Sequence, residues 1–372
     1  MKNKSRTVLV VTSEFPPMPG GIGNHAYNLC VYLVRSGYSV KVLTNKRAVS
    51  DAIFNEFISA NANLSITALE RSSNPLFTYL KRVQAYKKLL AEKPDKIIFS
   101  GKFSIWLAAL GWHKSRSWGV IHGSEIKQEG LKKSWFKRGL DRLTGIISVS
   151  GFTQEHLLQA FPHLTQQHCV VINNGFDLPK YEIPQRAIIP GHCHLITVGG
   201  MHRRKGQHNI IAALPSLKQI FPHIQYTIAG LPETMDALQE LAKSLGVEKH
   251  VCFVPNPSRD ELVALLQEAH VFAMLSENLP NGDIEGFGIA ILEGMSLGLP
   301  AIGSKNSGIR DAVDHRQSGI LINNIHDSAE IVEALKTIMA NYAGYSEKAL
   351  TWSERFRWSF VIQQYLNELE KP

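Results

Sequence analysis

Cysteine is scarce in this chain. Cys30, Cys169, Cys193 and Cys252 stand far apart among 372 residues without a C-x-x-C spacing, so neither a disulfide framework nor a zinc-ligand set is suggested. Long apolar runs are also missing. The stretch 105–112 falls well short of the ~18 residues needed to cross a bilayer, and the run 8–11 is too short for the apolar core of a signal peptide. No low-complexity tract and no repeat of solenoid period occurs. With 44% apolar and 19% charged residues, the composition excludes disorder, collagen-like repeats and a coiled coil. These absences fit a reducing cytoplasm.

What is present is length and charge asymmetry. The length suits two domains. Residues 1–186 carry 25 Lys and Arg against 12 Asp and Glu, and residues 187–372 carry 15 against 20, so the net +8 divides as +13 and −5. A strongly basic half predicts an anionic partner or, at the least, a solubilising basic face.

Short β-branched runs alternate with longer amphipathic stretches, which predicts parallel α/β sheets in both halves. Strands are expected near 7–12, 39–43, 64–68, 96–99, 118–121, 145–149 and 169–172, and again near 194–198, 225–229, 251–254, 271–274, 301–303 and 319–321. Helices in the first half are expected at 24–36, 76–92, 103–112, 132–143 and 153–161. The proline-rich stretch 178–191 reads as a linker. It divides a first doubly wound domain (1–177) from a second (192–345). The aromatic tail 346–372 reads as helical and is expected to pack back on the first domain. Two such domains would bind a ligand at the carboxyl ends of their strands.

Four motifs carry candidate chemistry. Gly20-Gly21-Ile22-Gly23 lies between the first strand and its helix, where backbone amides can approach an anion; a structural turn is the alternative. His122-Gly123-Ser124-Glu125 follows a parallel strand, where His122 can meet a hydroxyl. Arg203-Arg204-Lys205 sits in a glycine-flanked strand-to-helix loop suited to a diphosphate, against an exposed basic turn as the plain reading. Glu285-Gly286-Phe287-Gly288-Ile289 through Glu293 places two carboxylates around a glycine-rich helix start. That arrangement suits a ligand lying along the helix better than an acid–base pair flanking one bond.

Together these motifs resemble the retaining glycosyltransferases of family 4, whose GT-B fold has two facing Rossmann-like domains and an interdomain cleft. The resemblance extends over nearly the whole chain and includes Asn174-Gly175-Phe176-Asp177, Gly298-Leu299-Pro300 and Gly308 with Asp311. It implies transfer of a sugar from a nucleotide-diphosphate donor, a UDP-sugar in preference to a GDP-sugar, with no cofactor and no metal. By the same resemblance Lys205 holds the donor diphosphate with Arg204 and Arg203 assisting. Glu285 binds sugar hydroxyls, Glu293 the ribose, and amides of Gly286, Phe287, Gly288 and Ile289 the sugar and phosphate. His122 faces the transferred sugar, and Gly21 and Ile22 close on phosphate or acceptor. The pattern departs at Gly200, where members usually carry arginine. The nucleobase is expected near Pro255 and Asn256.

The segment 127–142 carries six cations and two anions around Trp135 and Phe136. Lys132, Lys133, Trp135, Lys137 and Arg138 fit an anionic membrane surface displaying a carbohydrate or lipid-linked acceptor; a solvated helix with core aromatics is the plainer reading. No nucleic-acid module accompanies the patch. The function expected is sugar transfer in cell-surface polysaccharide or glycolipid assembly, by a cytoplasmic protein peripheral to the membrane. The alternatives are a non-catalytic nucleotide-sugar-binding protein and a GT-B epimerase acting on UDP-N-acetylglucosamine.

Overall fold

The computed structural model describes residues 6–17, 20–46, 51–70 and 73–371; Met18 and Pro19 of the first glycine loop lie outside them. The chain forms two compact units. One runs up to Gly175 and regains the segment from Trp358; the other is Phe176–Arg357.

Among the described residues of unit 1, seven strands pair in parallel: β1 (Thr7–Thr12), β2 (Ser39–Lys46), β3 (Ser65–Glu70), β4 (Lys96–Ser100), β5 (Arg116–Ile121), β6 (Gly145–Ser148) and β7 (Cys169–Val171). Their order is β3-β2-β1-β4-β5-β6-β7. Val8 to Val11 and Ile97 to Phe99 are fully buried, because helices cover both faces of a parallel sheet and an uninterrupted apolar run satisfies both. The helices are α1 (Gly21–Arg35), α2 (Asp51–Ala60), α3 (Pro75–Ala91), α4 (Lys102–Ala108), α5 (Gly130–Leu140) and α6 (Gly151–Ala160).

Unit 2 repeats the plan with β8 (His192–Val198), β9 (His223–Gly230), β10 (Val251–Pro255), β11 (Val271–Met274), β12 (Ala301–Ser304) and β13 (Gly319–Ile322), ordered β10-β9-β8-β11-β12-β13. Its helices are α7 (Gln207–Ile220), α8 (Met235–Ser244), α9 (Arg259–Glu268), α10 (Ile289–Met295), α11 (Ile309–Ala312), α12 (Ser328–Ala340) and α13 (Tyr342–Glu354). In each sheet the strand order reverses at one point, between β1 and β4 and between β8 and β11. Loops leaving the carboxyl ends of those strands diverge and leave a crevice, the usual ligand position in open α/β sheets.

Three expectations need correction. Helix α2 was not foreseen; its Phe57 contacts the rings of Phe15 and Tyr27. The tail holds the end of α13 and one further helix, and only the second of these belongs to unit 1. The chain breaks after α13, where Phe176 N–H donates to the Phe356 carbonyl at 3.0 Å and Phe176 bridges to Arg357. That backbone pairing competes with a continuous helix. The final helix, α14 (Trp358–Glu370), belongs to unit 1, where Trp358 and Tyr365 are fully buried and Tyr365 Oη lies 2.9 Å from His25 Nε2. Trp352 and Phe356 stay in unit 2, with Trp352 Nε1 donating to Ala312 O. The stretch read as a linker is anchored on unit 2 by Arg186, whose guanidinium donates to the carbonyls of Ala269, Leu297 and Leu266.

Candidate active site

The cationic turn is built by the end of β8. Arg203–Lys205 form one tight turn, and Gly206 turns the chain into α7 with φ 72°, a left-handed value that favours glycine. A Cβ there would stand 1.8 Å from the Leu275 carbonyl oxygen, so the turn is pressed against the exit of β11. From that position Lys205 Nζ lies 2.6 Å from Glu285 Oε2, the same oxygen that accepts from Arg204 Nη1. Arg204 Nε also pairs with Asp283 at 3.0 Å. Cations and carboxylate some 80 residues apart in sequence thus meet at the unit 2 switch point. Burial alone would raise the Glu285 pKa, but Lys205 and Arg204 outweigh it and pull the carboxyl down to about 2.

The carboxylate segment is held as closely. Glu285 O accepts from Gly308 N–H at 2.8 Å, and a Cβ on Gly308 would meet the Gly286 carbonyl at 2.2 Å. Gly288 takes φ 97°, so the helix begins only at Ile289, and Glu285 lies ahead of it. The Phe287 side chain is buried against Phe356, so only its backbone can face a ligand. Glu293 sits on α10, 3.3 Å from Arg259 Nη1. Burial raises its pKa, with Arg259 offsetting part of the rise. Pro255 and Asn256 are exposed at the end of edge strand β10, where Asn256 N–H donates to Gly230 O.

Sequence reading missed Glu277. It follows β11 at the switch point, pairs with Arg203 at 3.1 Å and His208 at 2.7 Å, accepts from Asn209, and donates its own N–H to Arg204 O. It therefore positions the cationic turn. Its location after a switch-point strand was the available signal. Arg259 had none.

In unit 1, His122 leaves β5 almost fully buried. Its Nε2 lies 2.9 Å from Ser100 Oγ, its N–H donates to Glu125 Oε1, and the His25 ring stands edge-on at 5.0 Å. Burial lowers its pKa to about 3, so it is a neutral imidazole at ordinary pH, able to hydrogen-bond but not to carry charge. Gly21 and Ile22 form the first turn of α1, whereas a loop up to Asn24 was expected.

Lys132, Lys133, Lys137 and Arg138 are exposed on α5. Trp135 is turned inward: half-buried, it donates from Nε1 to Trp106 O, while Phe136 is wholly core. The apolar side chain offered outward is Leu131, 90% exposed. The first turns of α3 expose Leu76, Phe77 and Leu80. Among the described residues no helix is long and apolar enough to cross a membrane, and no three His, Cys, Asp or Glu side chains are grouped to hold a metal ion.

Comparison with known proteins gives a consistent result. Residues 181–357 match the family described as Glycosyl transferases group 1, and residues 19–180 match Glycosyltransferase Family 4. A glycogen synthase of Mycobacterium tuberculosis is 26% identical over 96% of this chain and 91% of its own. A GDP-mannose-dependent alpha-(1-6)-phosphatidylinositol monomannoside mannosyltransferase of the same organism is 26% identical over 85% of each. Among solved structures, HepE from Anabaena in complex with UDP and glucose aligns with a TM-score of 0.75 at 19% identity, covering 98% of this chain and 99% of HepE. The lipopolysaccharide outer core galactosyltransferase WaaB aligns at 0.74 and 16% identity, covering 97% and 98%.

Proposed function

Because the chain belongs to the glycosyltransferases of group 1 and family 4 and has their GT-B fold, we propose that it transfers a sugar, with retention, from a nucleotide-diphosphate donor to a carbohydrate or lipid-linked acceptor. The observation that carries this reading is the meeting of Arg204 and Lys205 with Glu285 on the unit 2 switch point. In the transfer, the bond from the anomeric carbon to the diphosphate oxygen breaks as the acceptor oxygen bonds to that carbon on the same face. The acceptor proton passes to the leaving phosphate oxygen. Negative charge grows on the diphosphate, and fixed cations stabilise it without reorganising. Lys205 and Arg204 take that charge, with Arg203 behind them, and no metal ion is needed for it.

Glu285 then turns from its cations to the sugar hydroxyls. Glu293 binds the ribose, and the backbone from Gly286 to Ile289 meets sugar and phosphate. His122 hydrogen-bonds the transferred sugar as a neutral imidazole, Gly21 and Ile22 approach phosphate or acceptor, and Pro255 and Asn256 lie toward the base. A UDP-sugar is the favoured donor, in keeping with the UDP bound by HepE; the GDP-mannose-dependent relative makes GDP-sugars the competing set. Nucleotide release from UDP- and GDP-sugars tests the reading. Wild type is expected to release UDP and Glu285→Ala to release almost none. Equal, negligible release from both identifies a nucleotide-sugar-binding protein instead.

The same reading places the first unit against an anionic membrane face, as part of cell-surface polysaccharide or glycolipid assembly on the cytoplasmic side. It draws support from the exposed Lys132, Lys133, Lys137 and Arg138 beside Leu131. Cations flanking exposed apolar side chains favour an anionic interface. Co-sedimentation with phosphatidylglycerol vesicles should fall severalfold when these four cations become Glu; undiminished binding rejects the membrane assignment.

A further inference from the structure

The two glycines that leave β8 are each covered by a side chain of the turn that follows. A Cβ on Gly199 would meet the Lys205 side chain, 3.1 Å from Cε and 3.6 Å from Nζ. A Cβ on Gly200 would meet the His202 ring instead, 3.0 Å from Cδ2 and 3.4 Å from Nε2. Lys205 and His202 thus lie over adjacent residues at the unit 2 switch point. The imidazole occupies the direction in which a side chain at Gly200 would leave the backbone, and Gly200 is the position where the sequence pattern departs by lacking arginine.

The ring is not tied into the fold. His202 N–H donates to Gly200 O at 3.0 Å, but the half-buried imidazole makes no hydrogen bond among the described residues. Four charged side chains act on it. Arg204 and Lys205, from the same turn, disfavour a positive imidazole; Glu233, beyond β9, and Asp283, ahead of Glu285, favour one. Glu233 Oε1 lies 3.6 Å from the point where the Gly200 Cβ would stand. Burial and the two cations prevail, so the pKa falls below the ordinary imidazole value and the ring is neutral in the empty site at neutral pH.

A diphosphate reverses that balance. Its negative charge at Lys205 and Arg204 cancels the repulsion they exert on the imidazole, and its oxygens accept from any donor within reach. An imidazolium beside them gains a charge-assisted hydrogen bond, stronger than the bond a neutral ring could make.

We propose that His202 is a further donor-binding residue that stands in for the arginine absent at Gly200: it takes a proton from water as the diphosphate arrives and donates a hydrogen bond to a phosphate oxygen. The inference rests on the transferase reading in one respect, that the diphosphate belongs to the sugar donor. Its consequence is a linkage. The ring is protonated more readily in the complex than in the empty site, so its contribution to affinity is full at low pH and is lost as pH rises through the pKa it has in the complex.

The test is calorimetric titration of the whole protein with UDP, and with GDP in parallel, at about pH 6.5 and about pH 8.5, which bracket the range where a perturbed imidazole changes charge. Wild type is compared with His202→Gln, so that ionisation of the nucleotide itself is common to both and cancels in their ratio. Wild type is expected to bind about tenfold more tightly than the variant at the lower pH, the size of one charge-assisted hydrogen bond, and no more than about twofold more tightly at the higher. Gly200→Arg added to His202→Gln should recover the loss at both pH values, because a guanidinium stays charged throughout. Gly200 lies outside the left-handed region, so its backbone admits a side chain. That recovery also shows that the variants are folded. A ratio that stays the same at the two pH values, whether or not His202→Gln binds more weakly, overturns the inference, since a neutral or merely structural contact gives that result. Failure of wild type to bind either nucleotide would overturn the donor reading itself, and it is seen in the wild-type titrations alone.

Discussion

Replacing Lys205 by alanine should lower kcat/KM for sugar transfer about 10²- to 10³-fold, the loss expected when one preorganised donor to a developing oxyanion is removed. Lys205→Arg should recover little of it, because a planar fork cannot replace a point charge in a site already shared with Arg204. The Glu285 variants divide the roles further. Its carboxylate is ionised at any neutral pH and neutralises the two cations that a diphosphate would engage. Glu285→Gln removes that competition and the charge-assisted grip on sugar hydroxyls together. UDP should therefore bind at least as tightly as to wild type while kcat falls by tenfold or more. The unliganded variant should be less stable by about 3 kcal/mol, the scale of loss when a buried ion pair forfeits one member, and UDP should restore much of that loss by mass action. A drop in UDP affinity that matches the drop in kcat would contradict this division.

The second large effect belongs to a residue with no side chain. Gly206→Ala requires a left-handed residue with its Cβ on top of the Leu275 carbonyl. Something must shift where the Cβ meets the Leu275 carbonyl, and Gly206 directly follows the turn that carries Arg204 and Lys205, so the shift is passed to their seat. Strain of this kind costs on the order of 1–3 kcal/mol, and displacing a fixed charge by an ångström is enough to cost about 10² in rate. The expected result is a folded protein with a lowered Tm and transfer reduced about a hundredfold. Gly246→Ala is the control. It also lies at positive φ, but a Cβ there meets nothing within 4 Å, and the position is far along the chain from the cationic turn. It should lose stability without a comparable loss of rate. If Gly206→Ala keeps full activity, the turn does not depend on its seat against β11.

These two experiments mark what could be read from the sequence. The strands were legible because parallel strands buried on both faces need unbroken apolar runs, as at Val8–Val11. The two halves of the site were legible because glycines, cations and carboxylates gathered at strand exits and a helix start. What joins them was not. Nothing local says that Lys205 and Glu285 share one hydrogen bond, since the contact follows from β8 and β11 lying side by side in the sheet. Glu277 stayed hidden for the same reason, a lone carboxylate after a four-residue strand whose partners come from the turn at Arg203–Lys205 and from α7. The break between α13 and α14 is set by pairing with Phe176, a distant segment, so helical periodicity ran through it. Trp135 shows the limit of amphipathic reading. On α5 a half-turn separates a side chain that meets solvent from one bonded to the Trp106 carbonyl, and composition does not distinguish them.

A crystal structure of the protein with UDP bound tests the central claim most directly. The account predicts the diphosphate within hydrogen-bonding distance of Lys205 Nζ and the Arg204 guanidinium, Glu285 Oε2 released from at least one of them, and the ribose hydroxyls at Glu293. A nucleotide bound elsewhere, with the Glu285 pairs to Arg204 and Lys205 intact, would contradict it.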